Sequence, residues 1–166
     1  MRILAPVLLA VLVAGCSPPI DLKQVLQVTD IVGGYHDAGI VDGRNKLVPS
    51  VTFRIRKSID GDIRPLSLNV VFKKLPRPGV AVPPGSSGEE DWDEVFVQNV
   101  PFNGNETAPL TVQTKAGYTG DPPQSRAEIL KHSQFQDVRA HIFAKHSASQ
   151  WVEIGTYDIP RQVLAP

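Results

Sequence analysis

The sequence predicts an all-β fold, an antiparallel β-sandwich, on three observations. Apolar and polar residues alternate with period two in several runs, which is typical of strands with one buried face. Turn-forming residues separate these runs, with 15 prolines and 13 glycines among 166 residues. A helix-start signal stands out in one segment only. A chain of this length suits one core, so we expect a single domain.

The alternation is clearest in two central runs. In residues 48–57, Val51, Phe53 and Ile55 fall on one face, and residues 66–72 repeat the pattern with four apolar side chains at alternate positions. Each run predicts a strand with one face in the core. The other strands are predicted within residues 22–34, 92–100, 110–118, 136–145 and 150–159.

Turns and loops are predicted between these strands. Asp60 and Gly61, between the two central runs, predict a β-hairpin. Residues 35–46 and 101–109 are interpreted as loops. Residues 76–91 are rich in proline, glycine and serine, so we expect no regular element there.

One short helix is predicted near residue 125. Ser125 is followed three residues later by Glu128, the spacing of a capping box in which both side chains satisfy free backbone donors at a helix start. About two turns follow, which indicates a connecting helix within a loop.

About seven strands with one short connecting helix resemble an immunoglobulin or fibronectin type III domain. The resemblance is architectural and covers residues 22–161. It implies two packed antiparallel sheets. The disulfide signature of antibody domains is absent, because the chain has one cysteine. Residues 162–166 are predicted to form a carboxy-terminal tail.

The amino terminus is typical of an export signal. Arg2 precedes an uncharged apolar run, residues 3–13, which is shorter than the about 20 residues of a membrane-spanning helix. Residues 13–16, Val-Ala-Gly-Cys, resemble the lipobox of bacterial lipoproteins, with Val where Leu is usual. The resemblance implies removal of residues 1–15 and lipidation of Cys16 with diacylglycerol and an acyl chain such as palmitate. The alternative is an ordinary secretory signal followed by a buried thiol.

Lipidation would hold the domain at a membrane. Ser17 after Cys16 implies the outer membrane, by the sorting rule of enteric bacteria, and we expect its periplasmic face. Residues 16–21 form the predicted tether, in which Pro18 and Pro19 favour an extended chain of about 3.1 Å per residue. The domain would therefore lie within about 20 Å of the lipid.

The charge balance predicts no nucleic-acid partner. The chain has 17 basic and 17 acidic residues, and loss of Arg2 with the signal would leave 16 basic against 17 acidic residues. Without a basic excess the chain lacks the electrostatic footprint that phosphate backbones require. Electrostatic attraction to anionic lipid is not implied either.

No metal or other cofactor is predicted. The acidic run at residues 89–94 matches no calcium loop and is interpreted as a solvated loop, and Asp60 and Asp62 as turn residues. Two of the histidines are five positions apart on one predicted strand and therefore on opposite faces. The four histidines are interpreted as structural: His36, His132, His141 and His146.

The sequence predicts a binding protein and no enzyme. It contains no nucleophile elbow, Ser-x-x-Lys or His-Glu-x-x-His motif. A triad built from distant residues remains open, so a hydrolase is the third hypothesis. The leading hypothesis is a non-enzymatic binding or assembly module that engages an envelope protein through a sheet edge or loops.

Two aromatic residues of the last strand are candidates for a contact surface. Val152, Ile154 and Thr156 form the more regular core face, which would leave Trp151 and Tyr157 outward. Exposed aromatic rings bind sugars by stacking or anchor protein partners. The alternative function is therefore a glycan- or peptidoglycan-binding accessory lipoprotein that uses Trp151 and Tyr157.

Overall fold

A computed structural model describes residues 20–165 of the chain. The predicted signal segment, Cys16 and most of the tether lie outside the described residues. Two antiparallel sheets and two short helices form the described part. In chain order the elements are α1 (Leu22–Val25), β1 (Leu26–Val41), β2 (Arg44–Lys57), β3 (Leu66–Lys74), β4 (Glu90–Val97), β5 (Phe102–Asn103), β6 (Glu106–Thr107), β7 (Leu110–Gln113), β8 (Tyr118–Gly120), α2 (Arg126–Lys131), β9 (Val138–His146) and β10 (Val152–Ile159).

The larger sheet is organised around β2. This strand pairs with β1 on one side and, along its length, with β6, β7 and β8 on the other, while β5 pairs with β6. The smaller sheet has the order β10-β9-β3-β4. All these pairings are antiparallel, so the all-β, two-sheet prediction is confirmed.

The core lies between the two sheets and follows the predicted alternation. Val51, Phe53 and Ile55 of β2 have no exposed surface, and the same holds for Leu66, Leu68, Val70 and Phe72 of β3. Alternate residues of β9 complete the smaller sheet's inner face. Burial of apolar side chains from both sheets is the main stabilising term of such a sandwich.

The first hairpin was not predicted. Residues 35–46, interpreted as a loop, contain the end of β1, a two-residue turn and the start of β2. Asp42 and Gly43 have φ angles of 50° and 75°, and two consecutive positive φ angles are the signature of a type I′ turn. The Asp-Gly pair was a usable signal, but its flanking strands are too polar to show alternation.

The hairpin predicted at Asp60 and Gly61 is wrong. β2 and β3 belong to different sheets, so residues 58–65 carry the chain from one sheet to the other. Gly61 does not adopt the positive φ that an Asp-Gly hairpin turn requires.

Smaller differences concern the short elements. Residues 101–109, interpreted as a loop, contain the β5–β6 hairpin, and the strand predicted at 110–118 is divided into β7 and β8. The capping box is confirmed, because Ser125 and Glu128 each accept from the other's backbone N–H at the start of α2. A four-residue helix, α1, precedes the first strand.

The carboxy-terminal residues pack on β1. Tyr35 N–H donates to the Gln162 carbonyl at 2.8 Å, and Leu164 N–H donates to the Tyr35 carbonyl at 2.9 Å. Gly34 permits this approach, because a Cβ there would overlap the Leu164 side chain. The tail predicted from residue 162 thus adds a short parallel bridge to the edge of β1.

Substitutions of two glycines test how the chain runs at residues 61 and 117. Gly117 has no room for a side chain, because a Cβ would overlap the backbone carbonyl oxygen of Leu47. Gly61 has open space, with Ile59 Cδ1 at 4.0 Å as the nearest atom. We expect Gly117→Ala to lower the free energy of unfolding by about 1–3 kcal/mol. We expect Gly61→Ala to leave it unchanged or raise it by about 0.4–1 kcal/mol. Urea unfolding of both variants measures the difference, and a loss of stability in Gly61→Ala would restore the hairpin interpretation.

Candidate functional site

Apolar side chains are exposed on the outer face of the smaller sheet. Phe96 of β4 is 52% exposed and Trp151, directly before β10, is 39% exposed. Their ring centroids are 6.0 Å apart, with the ring planes inclined by 56°. The Lys145 ammonium lies 5.7 Å from the Trp151 ring centroid. We call Phe96, Trp151 and Lys145 the aromatic patch.

Tyr157 does not belong to this patch. A register shift between Glu153 and Gly155 interrupts the pairing of β10 with β9, and such a bulge changes which face the following residues occupy. Tyr157 packs against the core, with its ring beside Gly33. The prediction that regular alternation turns both Trp151 and Tyr157 outward is therefore wrong for Tyr157.

Charged groups form a second cluster on this outer face. Glu89 Oε1 accepts from Arg139 Nη1 at 2.8 Å, and Glu89 Oε2 lies 3.1 Å from His141 Nε2, outside hydrogen-bond geometry. The Glu89 side chain is only 8% exposed. Asp158 also binds the Arg139 guanidinium, and Glu153 lies 3.0 Å from His141 Nδ1.

Side chains of the acidic run at residues 89–94 therefore bind other parts of the domain. Besides Glu89, Asp91 pairs with Lys73 at 3.0 Å. Asp93 accepts the backbone N–H groups of Lys115 and Ala116 beyond β7. Burial alone would raise the pKa of Asp93, but these donors together lower it. The interpretation as a solvated loop is wrong for Glu89 and Asp93, which tie parts of the fold together.

A second exposed apolar surface lies at the turn of the β1–β2 hairpin. Ile40 is 67% exposed, and Val41 beside it is also exposed. Asp42 and Gly43 close the turn. We call residues 40–43 the hairpin end.

Ion pairs hold the hairpin end against the loop that carries α2. Arg126 Nε donates to Asp37 at 2.9 Å, and Arg44 Nε donates to Asp121 at 2.7 Å. Partial burial would raise the pKa of Asp37, but the Gly39 N–H and the Arg126 guanidinium lower it overall. Asn45 also donates to the Gln124 carbonyl. The exposed Ile40 is therefore presented on a braced turn.

A polar cleft of about 350 Å³ opens beside the hairpin end. Side chains of several types face it, among them Arg44, Asp121, Gln124 and His132. His132 accepts the Gln134 backbone N–H through its Nδ1 atom. These groups offer donors and acceptors to a partner's surface.

An aromatic cluster lies under this cleft. Tyr118 and Phe135 stack at 4.2 Å between centroids, and Tyr35 packs edge-on against Phe135 at 5.3 Å. The Arg161 guanidinium covers Phe135 at 4.8 Å and binds Asp137 with two nitrogens. Tyr118 and Phe135 of this cluster form part of the cleft wall.

Burial sets the tyrosines' acidity. It raises the pKa of Tyr118 to about 12 and raises the pKa of Tyr35 further. Tyr118 donates its hydroxyl to the Gln136 carbonyl at 2.8 Å, whereas the Tyr35 hydroxyl has no hydrogen-bond partner in the described part of the chain. Both phenols stay neutral across the physiological pH range.

The histidines are dispersed. His36 lies on β1, His132 caps α2, and His141 and His146 occupy opposite faces of β9. Within residues 20–165, no group of three or more His, Cys, Asp or Glu side chains is arranged to hold a metal ion. No helix in this range combines the length and apolar character needed to cross a membrane. Cys16 lies outside the described residues.

Comparisons with known proteins add little. No protein-family model matches the chain, and no curated protein matches it. Among solved structures, the chain is similar to the X-ray structure of Northeast Structural Genomics Consortium target SoR45. The two are 11% identical, the match covers 83% of this chain and 88% of that chain, and the TM-score is 0.35.

Matched Phe variants test the cluster under the cleft. Tyr118→Phe removes a hydroxyl that donates a hydrogen bond, so the free energy of unfolding should fall by about 0.5–1.5 kcal/mol. Tyr35→Phe removes a buried hydroxyl without a partner, so stability should be unchanged or higher by about 1 kcal/mol. Chemical denaturation of both variants measures this. A large loss in Tyr35→Phe would mean that its hydroxyl has a partner, such as a buried water.

Proposed function

We propose that this chain is a bacterial lipoprotein, lipidated on Cys16, whose sandwich is a non-enzymatic binding or assembly module. The hairpin end engages a protein of the cell envelope, and the lipid holds the opposite end of the domain at the outer membrane, on its periplasmic face. The observation that carries the proposal is the exposure of Ile40 and Val41 on a turn that two ion pairs join to the loop of α2.

Strand neighbours support an immunoglobulin-like sandwich as the finer fold. In the larger sheet β1, β2 and β7 are adjacent, and in the smaller sheet β3, β9 and β10 are adjacent. Strands A, B and E, and strands C, F and G, are the corresponding neighbours of an immunoglobulin domain. In such domains the loops cluster at the two ends of the sandwich, and the hairpin end, which joins the strands that correspond to A and B, lies at one of these ends.

The amino-terminal segment supports anchoring at the opposite end. The lipobox resemblance ends at Cys16, and Leu22, six residues later, is already buried in the core. Fully extended, six residues span about 20 Å. β1 and β2 then extend away from α1 over roughly 50 Å, at the rise of a β-strand. The hairpin end is therefore the part of the larger sheet most distant from the proposed lipid.

Preorganisation explains why this end suits recognition. An exposed loop loses conformational entropy when it binds, which weakens the complex. Here strand pairing across the type I′ turn already defines its conformation, and the exposed pairs Asp37–Arg126 and Arg44–Asp121 add a smaller contribution. An apolar side chain such as Ile40, surrounded by polar groups, is the arrangement of an interface centre with a polar rim.

A glycan-binding accessory is the second candidate, because Trp151 is exposed. A sugar ring stacks best on a flat aromatic platform, whereas the Trp151 and Phe96 planes are inclined by 56°. Sedimentation with insoluble peptidoglycan tests this candidate. Binding that is lost in Trp151→Ala would favour it over a protein partner.

Site-specific photocrosslinking in living cells tests the proposed function. A photoreactive residue at position 40 should yield one defined protein adduct. The matched control is position 80, because Val80 is exposed to a similar degree in the 75–89 loop. Placing Val41→Asp beside the probe should remove the adduct, because a carboxylate would be desolvated at an apolar contact.

Adducts that are equal at positions 40 and 80, or absent at both, would contradict the proposal. Lipidation is measured separately, from the mass of the amino-terminal peptide that contains Cys16. An unmodified Cys16 with an intact residue 15 would overturn the anchoring part alone.

A further inference from the structure

We propose that the aromatic patch is a membrane-contact surface, which lies on the lipid interface to which Cys16 would be attached. This inference rests on the proposed anchoring and adds to it the face that the domain turns toward the bilayer. The patch combines aromatic rings with a lysine, and it lies near α1, where the chain enters the sandwich.

The position of the patch follows from the packing of β1 beside β10. Val28 lies against Gly155, and Gly33 lies against Tyr157 and the residues beyond it, so the two strands run side by side in the same direction. The helix α1 precedes β1 and packs against β10 and β9. It therefore lies beside the first residues of β10, the strand that Trp151 directly precedes.

The length of the amino-terminal segment limits where a membrane can be. Cys16 is followed by only three residues before Ile20, where the described chain begins. Leu22 is buried, so the chain cannot peel away from the sandwich there without exposing core. A lipid on Cys16 would therefore lie within about 20 Å of the end that carries Trp151.

The chemistry of the patch fits a lipid interface. Tryptophan is enriched at the level of the headgroups, where its ring is half in apolar surroundings. Phenylalanine inserts beside it in interfacial segments. Lysine keeps its ammonium at the phosphates while its methylenes cover apolar surface. Phe96, Trp151 and Lys145 supply these three elements, and the Trp151 ring lies beside both of the others.

Acidic side chains next to the patch restrict the surface that could contact lipid. Glu153 of β10 and Glu94 of β4 border the patch on the same face, so net attraction to anionic lipid does not drive it. Further along the face, Glu89 covers Arg139 and His141. The uncovered apolar surface is thus confined to the end near the predicted tether, which favours a shallow contact with the adjacent bilayer over a separate partner.

The single cysteine allows a direct test that does not depend on lipidation in the cell. The mature chain, residues 16–166, is coupled through the Cys16 thiol to vesicles of phosphatidylcholine and phosphatidylglycerol that contain a maleimide lipid. A Trp92→Phe background leaves Trp151 as the only tryptophan, because the chain has two. Emission of Trp151 is then compared between vesicles with ordinary and with brominated acyl chains.

We expect a blue shift of Trp151 emission on coupling and quenching by the brominated lipid. Phe96→Ser and Lys145→Glu should each reduce the quenching. Val80→Ser, a matched change of an exposed apolar residue in the 75–89 loop, should leave it unchanged. Far-ultraviolet circular dichroism shows that each coupled variant remains folded.

Folded, coupled protein in which brominated lipid does not quench Trp151 would overturn the inference. Equal loss of quenching in Val80→Ser would overturn it as well, because the contact would not be specific to the patch. Failure of the anchoring proposal gives a different result, namely an unmodified Cys16 from cells together with a positive vesicle experiment. A photocrosslink from position 151 to a protein, without quenching, would assign the patch to a protein partner.

Discussion

Four of the other five strands in the larger sheet hydrogen-bond directly to β2. The order of this sheet therefore depends on the position of β2. β2 receives β1 on one edge and β6, β7 and β8 in succession on the other. Its inner face, with Phe53 at the centre, is buried against the smaller sheet. A long strand with two full edges and one apolar face thus fixes the sheet order, the core and the direction of the first hairpin together.

The same strand separates the molecule into two ends with different surfaces. β1 and β2 begin and end beside α1, where the chain enters the sandwich, and they meet again at Asp42 and Gly43. The first end carries the aromatic patch, and the second carries Ile40, the cleft and the ion pairs of α2's loop. Because β1 and β2 are paired between the two ends, the hairpin end lies at the opposite end of the larger sheet from α1. Under the proposed function, the first end would serve attachment and the second would contact the partner.

Features that depend on local pattern could be predicted from the sequence. Alternation identified β2 and β3, because each buries one whole face, and the capping box identified α2, because its partners are three residues apart. The two Asp-Gly pairs show what local sequence pattern does not predict. The pair at residue 42 forms the hairpin turn and the pair at residue 60 does not, since the choice depends on which strands find partners in the same sheet. Turn chemistry alone does not distinguish them.

The candidate surfaces depend on contacts that sequence pattern does not contain. Trp151 was predicted to be outward, but its neighbour Phe96 is 55 positions earlier and meets it only through the order of the smaller sheet. Tyr157 turns inward because one extra residue in β10 shifts the register. Glu89 shows the opposite error. The sequence predicts a solvated acid in a loop, but the Glu89 side chain is buried and binds Arg139. Burying that carboxylate is tolerable only because the guanidinium is beside it. Ion pairs therefore cover the part of the outer face around Arg139. The Phe96 and Trp151 rings stay exposed at the end of this face that lies nearer to α1.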